Sequence, residues 1–316
     1  LTDGITIEKL LINNVPNEWN KNNEDVRTLH NLTLTQPVLP KTTVTLYVEW
    51  HYKLNFTSNN VREGMIDSNS FFIAYWYPRL SVYDDADGWD LIQHSEQAEF
   101  YNDFGNYNVK IKVPGDYLVL ATGQLQNAND VLNANVAARI EEALNNNDIN
   151  LCVLKEDLRA KTVTVPNAFN TWHYLADTVT DFAFGISNHY LLDAASAVID
   201  TLSGKRVLIL VAYDTSAVNY KQVCKWSQQS INYLNWQMPA VQFPYSNISV
   251  FQGNSFMEYP MLVNDMEEDD INDMQSTTLH EIAHSYFPFL TGINETRYAF
   301  MDEGWVTFFE LLANTA

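Results

Sequence analysis

The chain has 316 residues, 46% of them hydrophobic and 13% aromatic, which is enough to bury substantial cores and to form two domains. Its formal net charge of -21, with few and scattered Lys and Arg, argues against nucleic acid and anionic membrane surfaces as partners, since both need clustered basic residues. Cys152 and Cys224 stand far apart in no metal-binding spacing, so neither a disulfide framework nor a cysteine zinc site is indicated, while a single structural disulfide stays open.

The start, LTDGITIEKLLINN, has neither the charged nor the apolar region of a signal peptide. It begins with Leu rather than Met, as expected of a processed or excised piece, from which any targeting signal could have been lost. No apolar run approaches the roughly 18 residues that span a bilayer. The first half reads as β structure. Residues 44–54, VTLYVEWHYKL, place Val44, Leu46, Val48, Trp50, Tyr52 and Leu54 on one face with the period of a half-buried strand. YNVKIKV (107–113), DYLVLATG (116–123) and KTVTVPN (161–167) read as further strands, broken by Pro114-Gly115 and Asn-rich turns, with a short helical insertion over 127–148. Near residue 187 the pattern changes. LLDAASAVIDTLSG reads as a helix ended by Gly204, and VLILVAY (207–213) as a buried strand. SAVNYKQVCKWSQQSINYLNW reads as an amphipathic helix with Val218, Val223, Trp226 and Tyr233 among its apolar positions. The expectation is an α+β chain with a β-rich domain over 1–186 and a second domain over 187–316. After the strand-like VQFPYSNISVFQ, the acidic run DMEEDDIND suits a helix N-terminus through the macrodipole. The helix it starts carries HEIAH and is predicted to stop before Pro288, which disfavours helical backbone at Phe287.

HEIAH holds the chemistry. His280 and His284, four apart on a helix, share one face and can offer two imidazole nitrogens to one metal, while Glu281 leans over the same place. A catalytic zinc wants three protein ligands and an open fourth position for water, and Glu303, in MDEGW, supplies the carboxylate. Water on the metal would be acidified and handed to Glu281 as base. An accidental HExxH is expected on the order of once in a hundred chains of this length. Thr307 and Glu310 follow Glu303 on one helical face. Glu310 is thus a candidate acceptor for a ligand histidine's other N–H, with a solvated surface carboxylate as the alternative.

HEIAHSYF, the eighteen-residue gap, MDEGWVTFFE and the upstream MEYP together resemble the M1 family of gluzincin zinc aminopeptidases, relatives of aminopeptidase N and leukotriene A4 hydrolase. FFIAYWYPRLSVYDDADGWD and EFYNDFGNYNVKIKVPGDYLVLATGQL resemble the later part of the saddle-shaped β domain of bacterial members. TWHYLADTVTDFAFGIS resembles its closing strand and the crossing into a thermolysin-like domain. The resemblance implies one Zn2+ on His280, His284 and Glu303, Glu281 as general base and later proton donor, and Glu258 as the carboxylate that holds a substrate's free α-amine. An α-ammonium is mostly charged at neutral pH and pairs with such a carboxylate, which turns a peptidase into an aminopeptidase. Substrates would be peptides with a free N-terminus. The glycine-rich stretch usual before the Met-Glu pair is reduced to GNSF, with Gly253 retained before Met257, which puts substrate preference in doubt. The family's catalytic tyrosine is expected well downstream of the third ligand, and the chain ends 13 residues after Glu303. The rest of the catalytic domain, and the first part of the β domain, are therefore expected to lie outside this piece. The piece alone is expected to bind zinc weakly and turn over little.

His30, His51, His94, His173 and His189 have no second histidine or carboxylate at ligand spacing in the sequence and read as structural or surface residues. Tyr83 and Asp84 fall at a family substrate-pocket segment, but a turn is an equal reading. Three functions compete: an aminopeptidase, a zinc endopeptidase indifferent to Glu258, and a noncatalytic peptide-binding member. The intact HExxH and Glu303 favour the first. An acidic chain rich in Tyr and Asn points to the periplasm or beyond.

Overall fold

The computed structural model describes residues 4–17, 28–32, 34, 36–55, 62–95 and 98–315. Strands β1 (Thr6–Ile12), β2 (Val15–Pro16) and β3 (Leu46–His51) form an antiparallel sheet in the order β2-β1-β3. The hairpin β4 (Gly64–Asp67) and β5 (Ser70–Ile73) is followed by a small ribbon of β6 (Tyr83–Asp84) and β7 (Gly88–Trp89). Asp84 makes that ribbon a turn, because its carboxylate accepts from the N–H groups of Ala86 and Asp87. Next come β8 (Gly105–Pro114), β9 (Leu118–Ala121), β10 (Gln124–Leu125), the helices α1 (Ala128–Val131) and α2 (Ala134–Ala143), β11 (Asn150–Val153) and α3 (Lys155–Ala160). Strands β12 (Phe169–Val179) and β13 (Phe184–Ser187) complete two antiparallel sheets, β10-β12-β8 and β4-β5-β13-β9. The stretch 161–167 differs from its expected strand. It makes a single bridge, Thr164 to Leu132, and is pinned instead by the Thr164 hydroxyl donating to the Gly115 carbonyl at 2.6 Å.

Residues 191–200 are not a helix. They form β14 (Leu191–Asp200), which turns through 201–204 into β15 (Lys205–Tyr213), with Gly204 at φ +70 in the turn. The absence of a polar face has a physical reason: both faces of this sheet are buried, so the run needs no alternation. Leu191, Ala195, Ala197 and Ile199 enter one core, and Leu192 and Ala194 enter the core on the opposite face. Alanine's helix propensity is a weak prior beside that burial.

After β15 come α4 (Val223–Trp236), β16 (Asn247–Gln252), β17 (Met257–Tyr259) and β18 (Leu262–Asp265). They complete a six-stranded sheet in the order β11-β14-β15-β16-β18-β17, in which β16 is parallel to both neighbours. The sheet recruits β11 from the first half of the chain. Helix α5 (Ile271–Ala283) is capped by Asp270, whose carboxylate accepts from the N–H groups of Asn272 and Asp273. It buries Met274, Ile282 and Ala283 and ends before Pro288, because Ser285 and Tyr286 donate their N–H groups three residues back in tightened turns. Helices α6 (Glu295–Tyr298) and α7 (Glu303–Thr315) follow, and α7 sends Val306 and Phe309 into the core shared with α5. The protein is a mixed α+β structure. Among the described residues no helix is long and apolar enough to cross a membrane.

Candidate active site

Three elements converge at the C-terminal end of α5: its last turn, the start of α7, and β17 on the edge of the six-stranded sheet. Apolar burial of Ile282 and Ala283 on one side of α5 turns His280 and His284 toward α7. One ligand atom each from His280, His284 and Glu303 can be chosen so that all three lie within 4.8 Å of one another. Glu303 Oε2 stands 3.2 Å from His280 Nε2 and 3.9 Å from His284 Nε2. Donors on a tetrahedral zinc, at bonds of about 2.0–2.1 Å, are about 3.3 Å apart, so the set suits that ion with little adjustment.

The opposite ring nitrogens are engaged. His280 Nδ1 lies 3.1 Å from Glu310 Oε2. His284 Nδ1 lies 2.8 Å from Asp302 Oδ1 and 2.9 Å from the Phe287 carbonyl. Because those neighbours only accept hydrogen bonds, the proton belongs on Nδ1, leaving the Nε2 lone pairs for a metal. His284 and Asp302 are buried, whereas Glu303 is half exposed, which leaves an open side for water and substrate.

Glu281 is buried beside these ligands, and its Oε2 has no hydrogen-bond partner among the described residues. Burial, with the charge of Glu258 added, pushes its carboxyl well above the usual range. Glu258, on β17, is 8% exposed, and burial, opposed by the nearby His284, pushes it up to about 8. Its carboxylate comes within 4.8 Å of both a His284 nitrogen and an Asp302 oxygen. Met257, its neighbour, points the other way into the core. Gly253 commits its N–H to the Asp265 carbonyl at 2.8 Å, and a Cβ there would fall 1.7 Å from Asn264 Oδ1, so this glycine makes room for Asn264.

Two acids at this place were invisible to the spacing of the sequence. Asp302 precedes α7, so helical periodicity from Glu303 reaches Glu310 and not its own neighbour; its adjacency to Glu303 in MDEGW is the only signal. Glu295, first residue of α6, is 9% exposed and lines one cavity with Glu258. The short α6 has no pattern that would single it out.

The sequence matches no family model and no curated protein. Solved structures do match. An M1 zinc metallopeptidase from Deinococcus radiodurans is 14% identical with a TM-score of 0.55, over 99% of this chain and 61% of that one. A mutant two-domain M1 zinc metallopeptidase bound to L-arginine is 13% identical with a TM-score of 0.56 and the same coverage. Legionella pneumophila aminopeptidase A, in complex with aspartic acid, is 14% identical with a TM-score of 0.60, over 99% of this chain and 33% of that one. The chain thus spans about 61% of the length of the two-domain enzymes, and over nearly all of its own length it has the fold of M1 zinc metallopeptidases.

Proposed function

We propose that this chain carries the zinc- and amine-binding part of an aminopeptidase that removes N-terminal residues from peptides. In this reading residues 187–316 hold the thermolysin-like part and 1–186 the β-rich part. The observation that carries it is the approach of His280 Nε2, His284 Nε2 and Glu303 Oε2 to one point while both Nδ1 atoms are tied to acceptors. A surface cluster of chance polar residues has no reason to fix its tautomers.

His280, His284 and Glu303 would hold one Zn2+, which when bound acidifies water and polarises a carbonyl oxygen. Glu281 takes a proton from the attacking water at its free Oε2 and returns it to the departing amine; its raised proton affinity, from burial and Glu258, suits that exchange. Glu258 accepts hydrogen bonds from the substrate's α-ammonium, measuring one residue from the N-terminus to the scissile bond. Neighbours of the same fold, solved with a Tyr-Ser-Ala substrate and with single amino acids, are consistent with such a ligand.

The test is hydrolysis of aminoacyl fluorogenic amides and their N-acetylated controls by the full-length chain, with and without chelator, beside Glu258→Ala. Chelator-sensitive cleavage that acetylation abolishes and the variant loses is expected. Equal cleavage of blocked peptides would identify an endopeptidase instead, and zinc binding without turnover a peptide-binding protein.

A further inference from the structure

Trp50, Tyr52 and Leu54, on the apolar face of β3 and the residues after it, do not end in a packed core. They stay half-buried around an open cavity of about 290 Å³, bounded on its other side by Ile73 of β5, Trp76 just after it and Phe184 of β13. None of these residues lines the cavity at Glu258.

Every polar hydrogen of the large rings is committed to the protein itself. Trp50 Nε1–H donates to the Trp76 carbonyl at 2.6 Å, Trp76 Nε1–H to the Phe182 carbonyl at 2.8 Å, and the Tyr52 hydroxyl to Glu63 Oε2 at 3.4 Å. On the rim, His51 Nδ1 lies 2.9 Å from Glu8 Oε1. What the rings offer a ligand is their faces. The Trp50 and Trp76 centroids are 6.1 Å apart with planes at 29°, and Phe184 stands 6.0 Å from Trp76 at 78°, so ring planes meet the cavity in two directions.

Aromatic faces are negative, and among the described residues no Lys or Arg lines the cavity, so it has nothing for an anion. A cation is attracted, best over indole and within about 6 Å of a ring centroid. The surrounding charge has the matching sign: Glu8 and Glu63 stand behind His51 and Tyr52, and the chain as a whole carries -21. Burial pushes the Glu63 carboxyl up to about 7, and a cation beside it would favour its charged form. The kind of cation follows from its donors. A primary ammonium brings three N–H groups and a guanidinium five, and against ring faces these would lose water without gaining acceptors. A quaternary ammonium has no N–H to satisfy.

We propose that this cavity binds a small, free quaternary ammonium compound, with its methylated head against the faces of Trp50, Trp76 and Phe184. An apolar cavity of about 150 Å³ already takes a benzene-sized molecule, so this one admits a trimethylammonium head with a short stem. The site is separate from the histidines of α5 and does not depend on the aminopeptidase reading.

The experiment is calorimetric titration of the full-length chain with choline and with its tert-butyl isostere, in which carbon replaces the charged nitrogen. Choline is expected to bind about 5–30-fold tighter, the range of cation–π attraction for a desolvated head. Trp50→Leu keeps the wall apolar, so it should bring the two ligands within about twofold of each other and leave the isostere's affinity unchanged. Phe184→Leu, with the same expectation, takes its place if Trp50→Leu fails to fold. Equal affinities in the wild type mean a merely apolar cavity and overturn the proposal, as does no binding of choline up to about 10 mM. Sedimentation with phosphatidylcholine vesicles without binding of free choline also overturns it, by making the source a lipid headgroup. A preference kept in full by a folded variant places any choline site elsewhere and has the same force. If neither variant folds, a crystal structure of the wild type with choline decides: a head nitrogen within about 6 Å of the Trp76 ring centroid supports the proposal, and a head bound only elsewhere overturns it.

Discussion

The acceptors behind the two histidines offer a test of the metal site that needs no turnover. Asp302→Ala and Glu310→Ala each remove one carboxylate that faces an Nδ1 atom and leave every proposed zinc ligand in place. Loss of such a partner costs about 10–100-fold in metal affinity, or about 1.4–2.7 kcal/mol. The structure ranks the two. His284 Nδ1 has a second acceptor, the Phe287 carbonyl at 2.9 Å, so its tautomer survives without Asp302 and the loss should stay near tenfold. Among the described residues His280 Nδ1 shows only Glu310, at 3.1 Å, so its ring is freed to rotate and the loss should be larger, though the partly exposed side chain lets water substitute in part. The assay is competition for zinc against a fluorescent chelator at fixed pH, with thermal melting as a control for folding. Zinc affinities within twofold of wild type for both folded variants would refute the reasoning, because the ring orientations would then owe nothing to these carboxylates.

Gly253→Ala should destabilise the fold by about 1–3 kcal/mol, since its Cβ would fall 1.7 Å from Asn264 Oδ1 in a packed interior; a denaturant melt unchanged from wild type would show that Asn264 moves freely. Asp193, buried on β14 and bonded by the Tyr213 hydroxyl at 2.9 Å, has its carboxyl pushed by burial from 3.8 to about 6. A folded value above the unfolded one means that the group's contribution worsens as pH rises from about 4 to about 6. Asp193→Asn should therefore gain up to about 3 kcal/mol over wild type at pH 7 and nothing below pH 4. Paired melts across that range check the window, and a gain that does not vary with pH contradicts it.

What the sequence made legible was local. Two histidines four apart share a helical face whatever surrounds them, and the acidic run DMEEDDIND ahead of HEIAH marks a helix start through the macrodipole. What it hid depended on distant packing. The alternation along 191–200 is erased because cores lie on both sides of β14, so a central strand and a buried helix look alike in one dimension. Asp302 and Glu295 escaped for another reason. Their directions are set by irregular backbone before α7 and at the start of α6, where no periodicity relates sequence position to the side of the molecule a carboxylate faces. The resemblance named the fold, and the structure supplied these two acids.

Glu295 also allows a stability test that is independent of any ligand. A carboxylate buried there is a cost to the free protein, so Glu295→Gln should raise the melting temperature. Burial and the charges of Asp302 and Glu258 hold its carboxyl well above the ordinary value of 4.5. The penalty exists only where the unfolded chain would ionise the group, so the gain from Gln should be fullest near neutral pH and vanish below pH 4.5. A gain of about 1–2 kcal/mol corresponds to a few degrees for a chain of this size. If the variant instead melts lower at neutral pH and equally so at pH 4, the carboxylate is held by stabilising contacts in the fold, and burial is not a net cost of this group.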